Sequence, residues 1–129
     1  MNSTYSTTPI GRQRWAIAEG YIPADSHGPA PQLQSHETFC VLNASDQEAH
    51  LLVTVYFSER EPAGPYRFTV GPRRTRHIRF NRFDDPEPIP RDTDFASLIE
   101  ADVPIVVQHS RLDSRQSPLA LMTTLAYAG

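Results

Sequence analysis

A chain of 129 residues is long enough for one domain with a single hydrophobic core and too short for two. The net charge of −3 argues against nucleic-acid binding as the main function, because that function normally requires a basic face. The single cysteine, Cys40, excludes an internal disulfide, and no stretch approaches the roughly 20 apolar residues of a membrane-spanning helix. We therefore expect a soluble, cytoplasmic protein.

The N-terminus is polar and lacks the basic and apolar regions of a secretory signal. Residues 1–10 are predicted to form a flexible tail, and residues 11–129 are predicted to form one domain.

Apolar and polar residues alternate along most of that domain, and a period of two is typical of β-strands. In AHLLVTVYFS, for example, Leu51, Val53 and Val55 share one face. Further strands are predicted in RWAIAEGY, HETFCVLN, PYRFTVG, TRHIRF, PIVVQHSRL and LALMTTLAY. About seven to eight short strands separated by Pro- and Gly-rich turns predict an all-β fold, a single-domain β-sandwich or jelly-roll.

Two local features carry specific expectations. The turn GPRR separates PYRFTVG from TRHIRF and predicts a hairpin between them. The segment FASLIEADVP is open to two interpretations: a short helix capped by Asp94, or a strand that ends at Asp102.

Enzyme signatures are mostly absent, since there is no Gly-rich phosphate loop, GxSxG or CxxC, and no paired histidine spacing. We therefore predict no catalytic activity, no cofactor and no metal. The alternative is a metal-dependent jelly-roll enzyme that gathers His36, His109 and a carboxylate such as Glu19 from separate strands.

The stretch IVVQHSRLDSRQ changes along its length from apolar to ionic. In an extended chain His109, Arg111, Asp113 and Arg115 share the face of Ile105 and Val107, as alternate residues do. One interpretation is a strand that leaves the core at its end. The other is a polar pocket or subunit junction whose Arg and His side chains donate to an anion, a carboxylate or a sugar hydroxyl.

Other residues are candidates for the same pocket. Trp15 is either a platform for a planar ligand or a core residue, and Glu19 on the same face needs a partner if it is buried. Arg60 is a candidate partner for Glu19 or Asp113. The full set of candidate ligand-binding residues is Trp15, Glu19, His36, Glu37, Arg60, His109, Arg111, Asp113 and Arg115.

A second group of charged residues forms a local basic stripe. It consists of Arg73, Arg74, Arg76 and Arg79, with Arg82 following. Such a stripe contacts DNA or an acidic partner, or else it is a solvated edge that discourages strand pairing.

Several phrases occur in the order found in the soluble sensory rhodopsin transducer family. They are RWAIAEGYIP, SHETFCVLN, VTVYFSEREPAGPYRFTV and DTDFASLIEADVPIVVQHSRLDSRQ, and the resemblance extends from Gly11 to Ala128. It implies a β-sandwich protomer in a cytoplasmic homotetramer that meets the cytoplasmic side of a membrane sensory rhodopsin, with DNA binding downstream. It also implies, for relatives without a rhodopsin, binding of a sugar or similar metabolite.

Three functional hypotheses result. The first is a non-enzymatic signalling module that resembles the transducer and relays a signal through a partner protein, a small molecule, or both. The second is a binding protein for a sugar or anionic metabolite that is unrelated to light sensing. The third is the metal-dependent enzyme described above.

Overall fold

Eight β-strands and one 3-10 helix form the regular structure of residues 4–26, 34–115 and 119–129, which this computed structural model describes. The all-β fold class is therefore confirmed. None of these residues belongs to a helix that is long and apolar enough to cross a membrane. The elements are β1 (Arg12–Ile17), β2 (His36–Asn43), β3 (Ala49–Phe57), β4 (Ala63–Val70), β5 (Arg74–Arg79), the 3-10 helix (Phe80–Arg82), β6 (Phe95–Asp113), β7 (Ala120–Leu125) and β8 (Tyr127–Ala128).

The 19-residue strand β6 organises the sheet, because both halves share it. Its first part lies between β1 and β3, and its second part lies between β2 and β7. In the first half β4 flanks β3 and β8 flanks β1, whereas in the second half β5 flanks β2. All of these pairings are antiparallel.

The helix considered for FASLIEADVP is wrong, and the strand considered there does not end at Asp102. Phe95, Ser97 and Ile99 alternate inward as buried residues, and the strand continues through Pro104 to Asp113. Residues 102–104 have no ladder partner among the described residues. A proline, which lacks an N–H, is tolerated there because no hydrogen bond of the ladder is lost.

The hairpin predicted around GPRR is also wrong, because β4 pairs with β3 and β5 pairs with β2. The chain passes between the two halves at this turn instead of folding back within one of them. Asn43 is buried here and its side-chain amide donates to the carbonyls of Val70 and Gly71 at 3.1 and 3.0 Å. These hydrogen bonds fasten the end of β4 to the end of β2.

The core lies between the two halves and is rich in aromatic rings. Phe83, which follows the 3-10 helix, contacts the rings of four neighbours with centroid separations of 4.6–6.3 Å: Phe39, Tyr66, Phe68 and Phe80. Phe39 lies on β2 and Phe68 on β4, so the cluster joins one half of the sheet to the other. Aromatic contacts of this kind contribute beyond the area that they bury.

Trp15 belongs to this interior, with only 5% of its surface exposed. Its indole N–H donates to the carbonyls of Arg12 and Ile105 at 2.9 and 3.0 Å. The pairing of β1 with β6 shifts register between Arg12 and Arg14, so the indole supplies a hydrogen bond where the ladder is irregular. Of the two roles considered for Trp15, the structure therefore supports the core residue.

Gly11 is required at the same place. Its φ of +106° is one that L-residues rarely adopt, and an added Cβ would lie 2.2 Å from the carbonyl oxygen of Ile105. Gly11→Ala is therefore expected to lower the free energy of unfolding by at least about 1–3 kcal/mol, the usual cost of a strained backbone. Urea unfolding measures this. Gly71→Ala is the control, because its Cβ would make only an ordinary 3.5 Å contact with Arg74. Equal losses in the two variants would contradict the prediction.

Candidate functional site

The carboxylate of Glu37 is fully buried and is the centre of a polar network. Oε1 lies 2.6 Å from Nε2 of His109, which is itself buried. Oε2 accepts hydrogen bonds from Nε of Arg111 at 3.0 Å and from the backbone N–H of Tyr21 at 2.7 Å. The network therefore joins β2, β6 and the connection that follows β1.

The strand pairing explains why these side chains meet. Glu37 lies opposite Arg111, and Phe39 lies opposite His109, so all four point to the same inner face. Asn81 fixes the start of β2, because its side chain accepts from the N–H of Glu37 and donates to the carbonyl of Ser35.

Arg111 links this buried carboxylate to the surface. Its Nη2 lies 2.8 Å from Oε2 of Glu37 and 2.6 Å from Oε1 of Glu19, whose side chain is 63% exposed. Burial alone lowers the pKa of Arg111, but the hydrogen bonds and charges of Glu37 and Glu19 outweigh it, so that pKa is raised. Arg111 is thus a permanent cation held between an inner and an outer carboxylate.

A cleft of about 260 Å³ opens above Arg111. Arg115 lies on one wall of the cleft. Its Nε and Nη2 donate hydrogen bonds to the carboxylate of Asp113 at 3.1 and 2.7 Å. Hydrogen bonds from Arg115 lower the pKa of Asp113 more than burial raises it. The guanidinium of Arg115 also lies 5.7 Å from the centre of the Tyr21 ring. The cleft is lined by Glu19, Tyr21, Pro23, Asp94, Arg111, Asp113 and Arg115.

The charges of the cleft determine what it can bind. Both of its arginines already have carboxylate partners, whereas the side chain of Asp94 makes no hydrogen bond or ion pair with any described residue. An anion would therefore have to displace Glu19 or Asp113. A neutral molecule rich in hydroxyl groups can donate to the carboxylates and accept from the guanidinium groups without breaking either pair.

The structure brings together most of the residues predicted from IVVQHSRLDSRQ. Arg111, Asp113 and Arg115 line the cleft together with Glu19. Glu37 and His109 lie beneath it and reach it only through Arg111.

Three other candidates lie elsewhere. Trp15 is in the core, as described above. Arg60 pairs with Glu87 at 2.8 Å and covers the ring of Phe57, so its predicted pairing with Glu19 or Asp113 is wrong. His36 points to the outer face of the sheet, and its Nδ1 contacts the carbonyl of Gln34.

The ligand set considered for a metal is not assembled either. His36 and His109 lie on opposite faces of the sheet. His109 lies opposite Phe39 on the inner face, and His36 is three residues from Phe39 along β2, which places it on the outer face. No group of three or more His, Cys, Asp or Glu side chains within the described part of the chain could hold a metal ion. His27 lies outside the described residues.

Sequence reasoning did not identify Tyr21 and Asp94 as cleft residues. The two form an isolated backbone bridge between chain segments that are far apart in sequence. The only local signal for Tyr21 was that it alternates with Glu19 in EGY. No local pattern indicated Asp94.

The basic stripe does not form one face. On β5, Arg74 and Arg76 lie opposite Asn43 and Val41 on the inner side, whereas Arg79 lies opposite Thr38 on the outer side. Arg76 covers the ring of Phe68 and donates to the carbonyl of Thr69 at 2.7 Å. Arg73 lies 3.6 Å from Asp46.

Arg111→Met tests whether the buried carboxylate needs its cation. We expect the free energy of unfolding to fall by about 2–4 kcal/mol, less than for a fully buried pair because the Arg111 side chain is 24% exposed. Adding Glu37→Gln should restore part of that loss, since no unpaired charge then remains. Arg115→Met is the control and should cost much less, because its pair with Asp113 lies at the surface and is screened by water. Urea unfolding of the wild type and the three variants decides the matter, and equal losses for Arg111→Met and Arg115→Met would sink the prediction.

Comparisons with known proteins agree with the resemblance noted in the sequence. The family model described as Anabaena sensory rhodopsin transducer matches residues 10–128. A solved structure described as the Anabaena sensory rhodopsin transducer is 64% identical, with a TM-score of 0.75, and the match covers 84% of this chain and 95% of that one. A crystal structure of Thermotoga maritima 1070 is 31% identical, with a TM-score of 0.82, and covers 92% of this chain and 96% of that one.

A search of curated proteins found no match. The family model spans nearly the whole chain, and the Anabaena relative shares most of its residues across nearly its full length. The chain belongs to the Anabaena sensory rhodopsin transducer family.

Proposed function

We propose that this protein is a non-enzymatic signalling module in which a small molecule in the cleft alters the binding of a partner protein. The observation that carries the proposal is the direct line of contacts from the exposed Glu19 through Arg111 to the fully buried Glu37. A ligand that touches Arg111 therefore touches the group that holds the interior network together.

The ligand that this cleft favours is neutral and rich in hydroxyl groups, such as a sugar. The lining has three carboxylates, those of Glu19, Asp94 and Asp113, against two guanidinium groups. Its formal charge is therefore negative, which opposes a sugar acid or phosphate. The ring of Tyr21 offers a flat surface against which a sugar ring can pack.

Transmission would proceed through Glu37. A ligand that hydrogen-bonds to Arg111 beside Glu19 would shift the guanidinium against Glu37, and Glu37 also holds the N–H of Tyr21. The connection after β1 and the end of β6 would then move together. A ligand shifts such an equilibrium only by its difference in affinity for the two arrangements.

The partner that family membership supports is a sensory rhodopsin, met on the cytoplasmic side of its membrane. A cytoplasmic location follows from that role. A neutral-ligand sensor without a rhodopsin is the alternative, and the same cleft would serve it.

Assembly as a homotetramer has its own support. Strand β7 pairs only with β6 among the described residues, and it exposes Leu121, Met122 and Leu125. An exposed edge with apolar side chains is normally covered by another subunit.

A thermal-shift experiment tests ligand binding without an activity assay. A neutral hexose should raise the melting temperature by several degrees once it is in large excess over its dissociation constant, whereas glucuronate and inorganic phosphate should not. Asp94→Asn should reduce the shift at an unchanged melting temperature of the free protein. Asp46→Asn, in the turn between β2 and β3, is the matched control. A larger shift with glucuronate or phosphate, or none with any probe, would contradict the small-molecule part.

Light scattering coupled to size exclusion tests the assembly. The wild type should show about four times the 14.5 kDa mass of one chain. Leu121→Asn with Leu125→Asn should shift the mass towards smaller species, because the apolar cover is removed. A monomeric wild type at micromolar concentration would rule the tetramer out.

A further inference from the structure

One continuous stretch of the chain carries half of its positive charge and no negative charge. Six of the twelve arginines lie between Glu61 and Asp84, and no acidic residue lies between these two positions. The rest of the chain holds the other six arginines and all fifteen acidic residues. The basic stretch covers β4, the turn after it, β5 and the 3-10 helix. We call the group of Arg67, Arg73, Arg74 and Arg76 the arginine edge.

Both strands of the arginine edge lie at the border of the sheet. Among the described residues β4 pairs only with β3, and β5 pairs only with β2. The outer side of each strand therefore presents backbone N–H and C=O groups that have no strand partner. The six residues of β5 offer about 20 Å of such backbone, enough for a segment of about six residues.

A hollow of about 360 Å³ lies beside this border. Its walls include the apolar side chains of Leu52 and Phe68, and Arg67 and Arg76 flank it. Leu52 is 39% exposed, so the hollow offers an apolar contact as well as charge. A partner with alternating acidic and apolar side chains would use both.

We propose that the arginine edge docks an acidic, extended peptide segment of a partner protein, which adds to the free side of β5 as a further strand. The backbone hydrogen bonds would give the complex its register, and the arginines would select an acidic sequence. The surface shares no residue with the cleft, so the proposal does not depend on ligand binding there.

Two other occupants fit the observations less well. A second copy of the chain cannot pair through this edge with its own counterpart, because the arginines would face one another. A nucleic-acid duplex requires cations on one surface, whereas the wider basic stretch between Glu61 and Asp84 has Arg76 and Arg79 on opposite faces of β5. A duplex also has no groups that pair with a strand's free backbone, and the strongly acidic remainder of the chain would repel it.

The probe is a synthetic, capped heptapeptide in which glutamate alternates with valine. Its control is a peptide of equal charge in which proline replaces each valine, so that the N–H groups at those positions are lost. A DNA duplex of 12 base pairs forms the third arm. Binding is measured by fluorescence anisotropy at 150 mM salt, and backbone protection by hydrogen exchange of the β5 amides.

We expect the valine peptide to bind at least tenfold more tightly than the proline peptide and to slow exchange of β5 amides that face away from β2. The double variant Arg74→Ser with Arg76→Ser should bind the valine peptide at least tenfold more weakly. The control variant Arg12→Ser with Arg14→Ser removes equal charge from β1, and its affinity for the valine peptide should change by less than twofold. Equal binding of the two peptides, or binding without amide protection, would overturn strand addition. Tighter binding of the duplex would assign the edge to nucleic acid instead.

Discussion

A carboxylate with no access to water is the constraint on which this fold depends. Removing a charge from water costs several kcal/mol unless partners compensate for it, so Glu37 is tolerated only where β2, β6 and the segment after β1 converge. Any packing that separated these segments would leave the charge without compensation. The network therefore requires these segments to lie together, and it places the guanidinium of Arg111 at the floor of the cleft.

Much of the strand content could be predicted because alternation is a local property. HETFCVLN coincides with β2, the segment for β3 is one residue too long at its end, and the segment for β5 is shifted by one residue. Pairing was not predictable in the same way. A tight turn such as GPRR suits a hairpin. However, β4 and β5 belong to different halves of the sheet and cover the core from opposite sides, and only the whole fold decides which strands pair. The helix considered after Asp94 shows the same limit. Phe95, Leu98 and Ile99 have helical spacing, but Phe95, Ser97 and Ile99 also alternate as in a strand, and burial decides between the two.

The candidate site was predictable where its residues lie on one strand. Arg111, Asp113 and Arg115 follow one another at alternate positions, so they could be placed together from spacing alone. Glu19 joined them through the unusual position of a carboxylate near apolar residues. Neither Trp15 nor Arg60 lines the cleft, and spacing could not decide this because their partners, Ile105 and Glu87, are distant in sequence. Asp94 carried no signal, since an exposed acid before a strand is ordinary in any sequence.

Strand β6 has a mechanical consequence for the two halves of the sheet. Among the described strands it alone belongs to both halves of the sheet. At residues 102–104 it has neither a ladder partner among the described residues nor, at Pro104, an N–H to offer. Stiffness in a sheet comes from its ladders, so this short interval is where the strand bends with least resistance. Twist introduced at Arg111 would be delivered along the backbone to that interval and expressed there as a rotation of one half against the other.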